Sequence, residues 1–566
     1  MEVSRLNSRW IKIGFEGDFS WDKVEAIKRI PNSKFDESKK EWRVGINTKE
    51  SAARFLSFCN EFEVDVGDDI KRVFSELREQ FHEQDKKKEE NRRLAEAEKS
   101  SIDRIYGTAR GLRLREYQRV AVEYVEKNRR VIIGDSPGLG KTISAMGAVQ
   151  HLDQFPVLCV VPAVVRGNWE NEWNKWLPRR VVKNVKSGSH SNFRGSIVVC
   201  TYSLIHKFVD RFKEKGFKSI IVDESHFVKN HKARRSKAVY EIAKKIDTRI
   251  LLTGTPVVSS PIDLVHQLRV LGKLKDEFGG WFEFTGRYCD RKKQFGRWDV
   301  TGASNLGELN DRLAGTCYIR RNKMDVLDEL PDVQISKVPA KLGNRRCYDK
   351  AEHNFVAHLK DKYQDLSRVR RSAKIKRALA AEKLVKMNEL RMLAAKEKIK
   401  ETKKWAESFI ENEEPVLIFT NFRDVANQLS EAFGCPKIDG STKNKTKVVE
   451  EFQNGKHDAL VINIKAGGVG ITLTRSSTVV FASLPWTWAD VQQAIARVHR
   501  IGQKHKVNAY FMVAENSIDD DMYDILERKK KITDVVNKGK NEEVENVDVQ
   551  QVTIDKILRR NGIITE

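Results

Sequence analysis

The stretch RVIIGDSPGLGKTISAMGAVQH, residues 130–151, constrains this chain more than any other. A short β-branched run is followed by a glycine-rich turn, then by apolar residues at helical spacing. That order sets backbone N–H groups at a helix N-terminus, where they and the helix dipole face phosphate oxygens. Gly138 and Gly140 allow the tight path, Lys141 is placed to reach the β/γ-phosphates, and Thr142 to hold Mg²⁺. The spacing breaks the usual G-x-x-x-x-G-K-[ST] rule. Counted back from Gly140-Lys141-Thr142, position 135 should be glycine but is Asp135, and Gly134 stands one residue early. On this stretch alone an ordinary glycine-rich turn stays open.

The downstream chain narrows the choice. FKSIIVDESH is a strand ending in Asp223 and Glu224, and strand ends are where ligands of an α/β sheet sit. Asp223 suits a metal, and Glu224 suits positioning and deprotonating an attacking water. RILLTGTP gives another strand, and VLCVVPAVV and GSIVVCTYSLI are further buried-strand candidates. Strands alternating with helices over 110–272 predict a doubly wound parallel sheet. PVLIFTNFRDVANQLSEAF, DALVINIKAGGVGITLT and STVVFASLP repeat the pattern in a second lobe. WADVQQAIARVHRIGQ reads as a helix with Gln493, Arg497 and Arg500 on one face. Such a stripe is either a solvated surface or a set of arginines supplied across a cleft to phosphoryl transfer.

Composition bears on the partner class, though on charge alone a merely soluble basic protein stays open. Lys+Arg 104 against Asp+Glu 80 gives a formal charge of +24 over 566 residues, which favours a polyanion, most simply nucleic acid. A chain of this length needs more than one core. The N-terminus MEVSRLNSRW lacks the apolar centre of a signal peptide, and the longest apolar runs are too short to span a bilayer. The seven cysteines form no C-x-x-C pair, which argues for a reducing compartment without disulfides or a zinc site. The expectation is a protein of the cytoplasm or nucleoid, or of the nucleus in a eukaryote, with no membrane partner.

In their order, LREYQRVAVEYV, GDSPGLGKT, VVPAVVRGNWENEWNKWLP, VVCTYSLI, IVDESHFVKN and LLTGTP resemble the first-lobe motifs of SWI/SNF-type ATPases of helicase superfamily 2. PVLIFTNF, IDGST, KAGGVGITLT and QQAIARVHRIGQ resemble the second-lobe motifs. That family's loop reads D-E-M-G-L-G-K-T, so Asp135 stands where the family has its own aspartate. The stretch GASNLGELNDRLAGTCYIRRNKMDVLDELPDVQ resembles the distant branch that includes HARP-type annealing helicases and bacterial and phage relatives. Lys447 falls where that family commonly has arginine, after a stretch about two residues short of its norm. No bromodomain, chromodomain or histone-tail reader is recognisable.

The resemblance implies roles. Gln118 would read adenine, and Asp135, Gly138, Gly140, Lys141, Thr142, Gly470 and Gln493 would line the ATP site. Thr142 and Asp223 would hold Mg²⁺, Asp223 and Glu224 would serve metal and water, and Arg497 and Arg500 would be arginine fingers. Arg166, Thr201, Lys465, Arg320 and Arg321 are the expected DNA contacts of the motor. The implied activity is a monomeric, ATP-driven motor on double-stranded or branched DNA. A strand-separating DNA or RNA helicase and a non-catalytic DNA-binding protein are the alternatives; the intact Lys141, Asp223, Glu224, Arg497 and Arg500 oppose the last.

The expected fold class is α/β: two RecA-like doubly wound lobes joined by basic helices, plus a small α+β N-terminal domain. In order these are a HARP-like domain at 1–70, a charged linker helix at 71–105, a first lobe at 106–335, a basic helical linker at 336–405, a second lobe at 406–532 and a tail at 533–566. Ser20 and Thr48 are expected helix N-caps. IPNSKFDESKKEWRV carries the HARP likeness, with Lys34, Lys40 and Arg43 as DNA contacts beside Trp42. The other reading is a structural cap with Trp10 and Trp42 in its core. Residues 341–400 hold 18 Lys/Arg against 7 Asp/Glu, in keeping with basic helices between lobes.

Overall fold

A computed structural model describes residues 2–538, apart from 8–9, 16–18, 47, 110, 187–192, 194, 255, 257–259, 295–296, 327–329, 367–372 and 468–470, together with isolated residues between 553 and 560. The chain divides into two compact units, Met1–Arg93 and Leu94–Glu566. No helix among the described residues is long and apolar enough to cross a membrane.

The smaller unit is an antiparallel sheet of β1 (Glu2–Asn7), β2 (Trp10–Gly14), β3 (Ser33–Asp36) and β4 (Glu41–Gly45), in the order β1-β2-β4-β3. Its helices Trp21–Lys28 and Lys49–Glu61 start at the expected caps. Ser20 Oγ accepts from the Asp22 N–H, and Thr48 forms a capping box with Ser51. Trp42 is buried in the core, with Phe35 packed on it at 5.3 Å between ring centroids. Helix Asp68–Glu96 joins the same core through Ile70, Val73, Phe74, Leu77 and Phe81. Those positions form one stripe at helical spacing, so the charged linker helix carries an apolar face.

The larger unit holds two wholly parallel sheets. The first contains β5 (Arg130–Ile133), β6 (Val157–Val161), β7 (Val182–Asn184), β8 (Ile197–Thr201), β9 (Ser219–Asp223) and β10 (Thr248–Leu252). After an antiparallel pair, β11 (Lys292–Gln294) and β12 (Arg297–Asp299), strand β13 (Tyr318–Ile319) completes it in the order β13-β5-β10-β9-β6-β8-β7. Its central strands are buried almost throughout and mainly apolar because each face meets a different core. In β8, Ile197 and Val199 enter one core while Val198 and Cys200 enter the other. Register matters for function here. Ile133 pairs with Leu252 and with Ile319, and Leu252 pairs with Asp223. The chain therefore leaves β5, β9, β10 and β13 at one level along the C-terminal edge, where α/β sheets bind ligands.

The second sheet is built from β14 (Val333–Ala340), β15 (Val416–Thr420), β16 (Lys437–Ile438), β17 (Ala459–Asn463), β18 (Thr478–Phe481) and β19 (Val507–Ala514), in the order β14-β19-β18-β15-β17-β16. Phe481 stacks between Phe419 and Phe511 at 5.6 and 4.5 Å. Strand β14 crosses the expected boundary at 335 and pairs with β19 along its whole length. It is an edge strand whose half-polar sequence, VQISKVPA, hides it among linker-like residues. Helices Ala373–Glu397 and Ile399–Ile410 then lead into β15, tied down by fully buried Lys398, which pairs with Asp519 and donates to the Met512 carbonyl.

Candidate active site

Gly134 explains the irregular loop. A Cβ there would lie 2.3 Å from the ring of Tyr318 on neighbouring β13, so the early glycine serves strand packing. The turn itself uses Gly138 at φ +96° and Gly140 at φ +77°, and helix Lys141–His151 starts at once after it. Lys141 Nζ donates to the Asp135 carbonyl at 2.7 Å. Burial pulls the Lys141 pKa down, against the opposing pull of Glu224, Asp135 and Asp223.

Asp135 and Arg321 form a buried pair. Arg321 Nη2 donates to Oδ2 at 2.7 Å, and its Nε and backbone N–H each donate to Oδ1 at 3.0 Å. Arg321 also donates to the Tyr117 carbonyl. One expectation changes: Arg321 is not placed for DNA, because its guanidinium is spent inside the lobe. The same pair takes up the Asp135 carboxylate, which anchors the turn. Arg320 also turns inward, donating to the carbonyls of Gly134 at 3.2 Å and Gly254 at 3.0 Å. Gln118 donates to the Leu139 carbonyl at 3.1 Å, beside the Tyr117 hydroxyl on the same oxygen at 3.1 Å, and accepts from the Arg115 N–H.

The carboxylates lie at the end of β9. Asp223 accepts from the Trp169 indole N–H at 2.8 Å and from the Glu224 N–H at 3.0 Å. Glu224 sits in the left-handed region at φ +49°, rare for a residue with a Cβ. Its Oε2 is buried without a hydrogen bond; His226 Nδ1 is 3.3 Å away but poorly aligned for one. Burial raises the pKa of both carboxyls, and the Glu224 charge raises that of Asp223 further; Lys141 and Arg497 hold Glu224 down. His226 is driven the other way, to about 4, by burial and Lys229.

The second sheet supplies the opposing wall. Helix Trp488–Ile495 stops before the arginines, so Arg497 and Arg500 lie in a turn and not on a continued helical face. The Arg497 and Val498 N–H groups bond three residues back, to Ala494 and Ile495, and the Arg497 carbonyl accepts from the Leu473 N–H. Arg500 Cβ lies 3.2 Å from the point where Gly138 would carry a Cβ. Burial and Arg500 lower the Arg497 pKa to about 10. Gln493 is half-buried on the helix, and Gly470 lies outside the described residues.

Of the other expected DNA contacts, Arg166 is half-buried at a helix start and Lys465 is exposed. Thr201 is buried, its hydroxyl within 2.9 Å of the Ser203 hydroxyl, which takes it off the surface. Lys34 and Lys40 are exposed, whereas Arg43 is paired with Asp36 at 2.6 Å and Glu41 at 3.6 Å. Trp169, Tyr117 and the buried Lys323 were not read from the sequence as site residues. Only Trp169 carried a hint, sharing a helical face with Trp173 four residues on.

The residues fit a nucleoside triphosphate. Lys141, Arg497, Arg500 and Lys323 converge on a glycine cradle and act on one another electrostatically, a concentration of buried positive charge that a polyphosphate would neutralise. Among the described residues no group of three or more His, Cys, Asp or Glu could hold a metal. A divalent ion here would rest on Asp223, the Thr142 hydroxyl and phosphate oxygens, which is how Mg²⁺ is usually held.

Comparison with known proteins supplies the family. A family model described as "SNF2-related domain" matches residues 75–403, and "Helicase conserved C-terminal domain" matches 397–502. The chain is 30% identical over 445 residues to "DNA annealing helicase and endonuclease ZRANB3" of Homo sapiens, covering 74% of this chain and 40% of that one. It is 31% identical over 458 residues to "SWI/SNF-related matrix-associated actin-dependent regulator of chromatin subfamily A-like protein 1" of Xenopus laevis, covering 78% and 45%. The chain thus spans about two fifths of the length of these relatives. The solved "Sulfolobus solfataricus SWI2/SNF2 ATPase core in complex with dsDNA" matches 81% of this chain and 99% of its own at 21% identity and a TM-score of 0.38. With the SNF2-related model matching well over half of its length, the chain belongs to the SNF2-related family.

Proposed function

We propose that this protein is an ATP-dependent double-stranded DNA translocase that remodels branched DNA, by fork regression or strand annealing. The observation that carries the reading is the meeting of Lys141, Asp223 and Glu224 from one sheet with Arg497 and Arg500 from the other around one glycine turn. Phosphoryl transfer needs positioning and positive charge more than covalent chemistry, and arginines delivered from a second lobe make turnover depend on how the lobes meet. Lys141 and the turn's N–H groups bind phosphate oxygens, Glu224 orients and deprotonates the attacking water, and Arg497 and Arg500 stabilise the charge that builds in the transition state. Mg²⁺, which Asp223 and the Thr142 hydroxyl would hold, would offset the charge of the phosphates. DNA grips that alternate as the lobes open and close would then move the chain along one strand.

The net charge of +24 and the annealing activity named for the human relative support DNA as partner. The deciding measurement is ATP turnover with no nucleic acid and with single-stranded, duplex and forked DNA, and RNA. Strong stimulation by duplex or forked DNA is expected. Turnover on single strands alone, with unwinding of a blunt duplex, would favour a strand-separating helicase.

A further inference from the structure

Lys323 adds to the positive charge of the site but has been given no contact of its own there, yet it lies at the centre. It is 7% exposed, and its Nζ donates to the carbonyl of His499, between Arg497 and Arg500 in the chain. Its Nζ and Cε are each 3.3 Å from the point where Gly138 would carry a Cβ, beside the Cβ of Arg500 at 3.2 Å. The ammonium is therefore against the phosphate turn, beside Arg500 and within electrostatic reach of Lys141.

The segment around it grips both walls. Arg320 holds the carbonyls of Gly134 and Gly254, and Arg321 holds Asp135, so two residues fasten the phosphate turn. Lys323 holds the His499 carbonyl, and the Pro331 carbonyl meets His499 Nε2 at 2.8 Å, so the next part fastens the arginine turn. Among the described residues, the charged groups acting electrostatically on Lys323 are cations: Arg500, Lys141 and Arg497. Burial first, and these three after it, depress its pKa to about 7. A buried ammonium among like charges is unfavourable until a multivalent anion joins it.

We propose that Lys323 is a further phosphate-binding residue of this site: it contacts the terminal phosphate beside Gly138 and, through the His499 carbonyl, ties that contact to the turn bearing Arg497 and Arg500. The inference rests on the nucleotide reading above and makes it more specific. The terminal phosphate is what distinguishes ATP from ADP, so Lys323 lets the arginine turn respond to which of them is bound.

The test uses the full chain with Lys323→Met, which keeps the stem and removes the charge, and Lys323→Arg, which keeps the charge. Each is titrated with fluorescent ADP and with a fluorescent non-hydrolysable ATP analogue. A charge-assisted phosphate contact predicts a loss of about 10-fold or more in triphosphate affinity for Lys323→Met, with diphosphate affinity within about 3-fold and Lys323→Arg close to wild type. Equal losses for both nucleotides would reduce Lys323 to a scaffold of the turn, and no loss would remove it from the site; either overturns the proposal. If Lys323→Met melts at lower temperature or fails to fold, Lys323→Gln decides by the same ratio. A wild-type protein that binds neither nucleotide would instead refute the ATP reading itself, and this inference with it.

Discussion

Glu224 combines three properties that ordinary strand-end glutamates lack. Its backbone is left-handed, its Oε2 is buried without a hydrogen bond, and its pKa is raised by burial against the pull of Lys141 and Arg497. Strain and an unsatisfied buried oxygen persist where function uses them. Glu224→Gln keeps shape and volume but cannot take a proton, so nucleotide affinity is expected to stay within a few-fold while kcat falls by about 10²–10⁴. Stopped-flow turnover beside equilibrium nucleotide titration checks this, and undiminished kcat would remove Glu224 from the water-positioning role. Arg321 leads to the opposite kind of expectation. Removing its side chain in Arg321→Ala strands the buried Asp135 carboxylate, which costs about 3–5 kcal/mol in stability by urea denaturation. The slope of DNA affinity against salt should not change. A slope shallower by about one would show that Arg321 releases a counterion and touches phosphate after all.

At the scale of elements, the informative piece is the turn that follows helix Trp488–Ile495. It carries Arg497 and Arg500 and is pinned by His499, whose Nε2 meets the Pro331 carbonyl at 2.8 Å. Burial first and Lys323 second depress the His499 pKa to about 4, against the Pro331 carbonyl and Asp332. A histidine whose folded pKa lies below its unfolded value binds its proton more weakly when folded. Its contribution to stability is complete above about pH 6.5 and is lost as pH falls towards 4, by about 3 kcal/mol in full. The melting temperature should therefore fall over this window. His499→Gln, which retains a donor for Pro331 and cannot titrate, should show a shallower fall than wild type in parallel melts from pH 7.5 to 4. Parallel curves would mean that His499 is charged or exposed in the folded turn. His226, held to about 4 by burial and Lys229, adds to the slope in both proteins and cancels in the comparison.

For the whole molecule, the division between Arg93 and Leu94 sets a clean experiment. Every candidate motor residue lies beyond it, and the smaller unit has its own core around Trp42, Phe55 and Phe58. A chain beginning at Leu94 keeps Leu94 and Ala95, which pack in the first lobe, and should fold and retain duplex-stimulated ATPase. If exposed Lys34 and Lys40 serve branched DNA, the shortened chain loses its preference for forked over linear duplex of equal length. Competition binding with the two DNAs, run beside ATPase assays, separates the outcomes. An unchanged preference makes the smaller unit a structural cap, and a collapse of basal ATPase makes it part of the motor.

The sequence determined what depends on local order. β-branched runs alternating with helical spacing specified parallel sheets, and GLGKT and the DE pair at a strand end marked the chemistry, because turn, helix start and strand end are each set within a few residues. The caps at Ser20 and Thr48 were legible for the same reason. Tertiary structure decided what depends on register. Pairing Ile319 with Ile133 brings Arg320 and Arg321 out beside the phosphate turn, so a guanidinium 186 positions away from Asp135 in the chain closes on it. The same pairing sets Tyr318 against Gly134, which no loop rule anticipates. Lys323 and the His499 carbonyl, 176 positions apart, meet only because the lobes do. Side-chain periodicity records which face of an element is buried. It carries no record of which distant element will cover that face, and so basic residues read as surface contacts became the inner framework of the site.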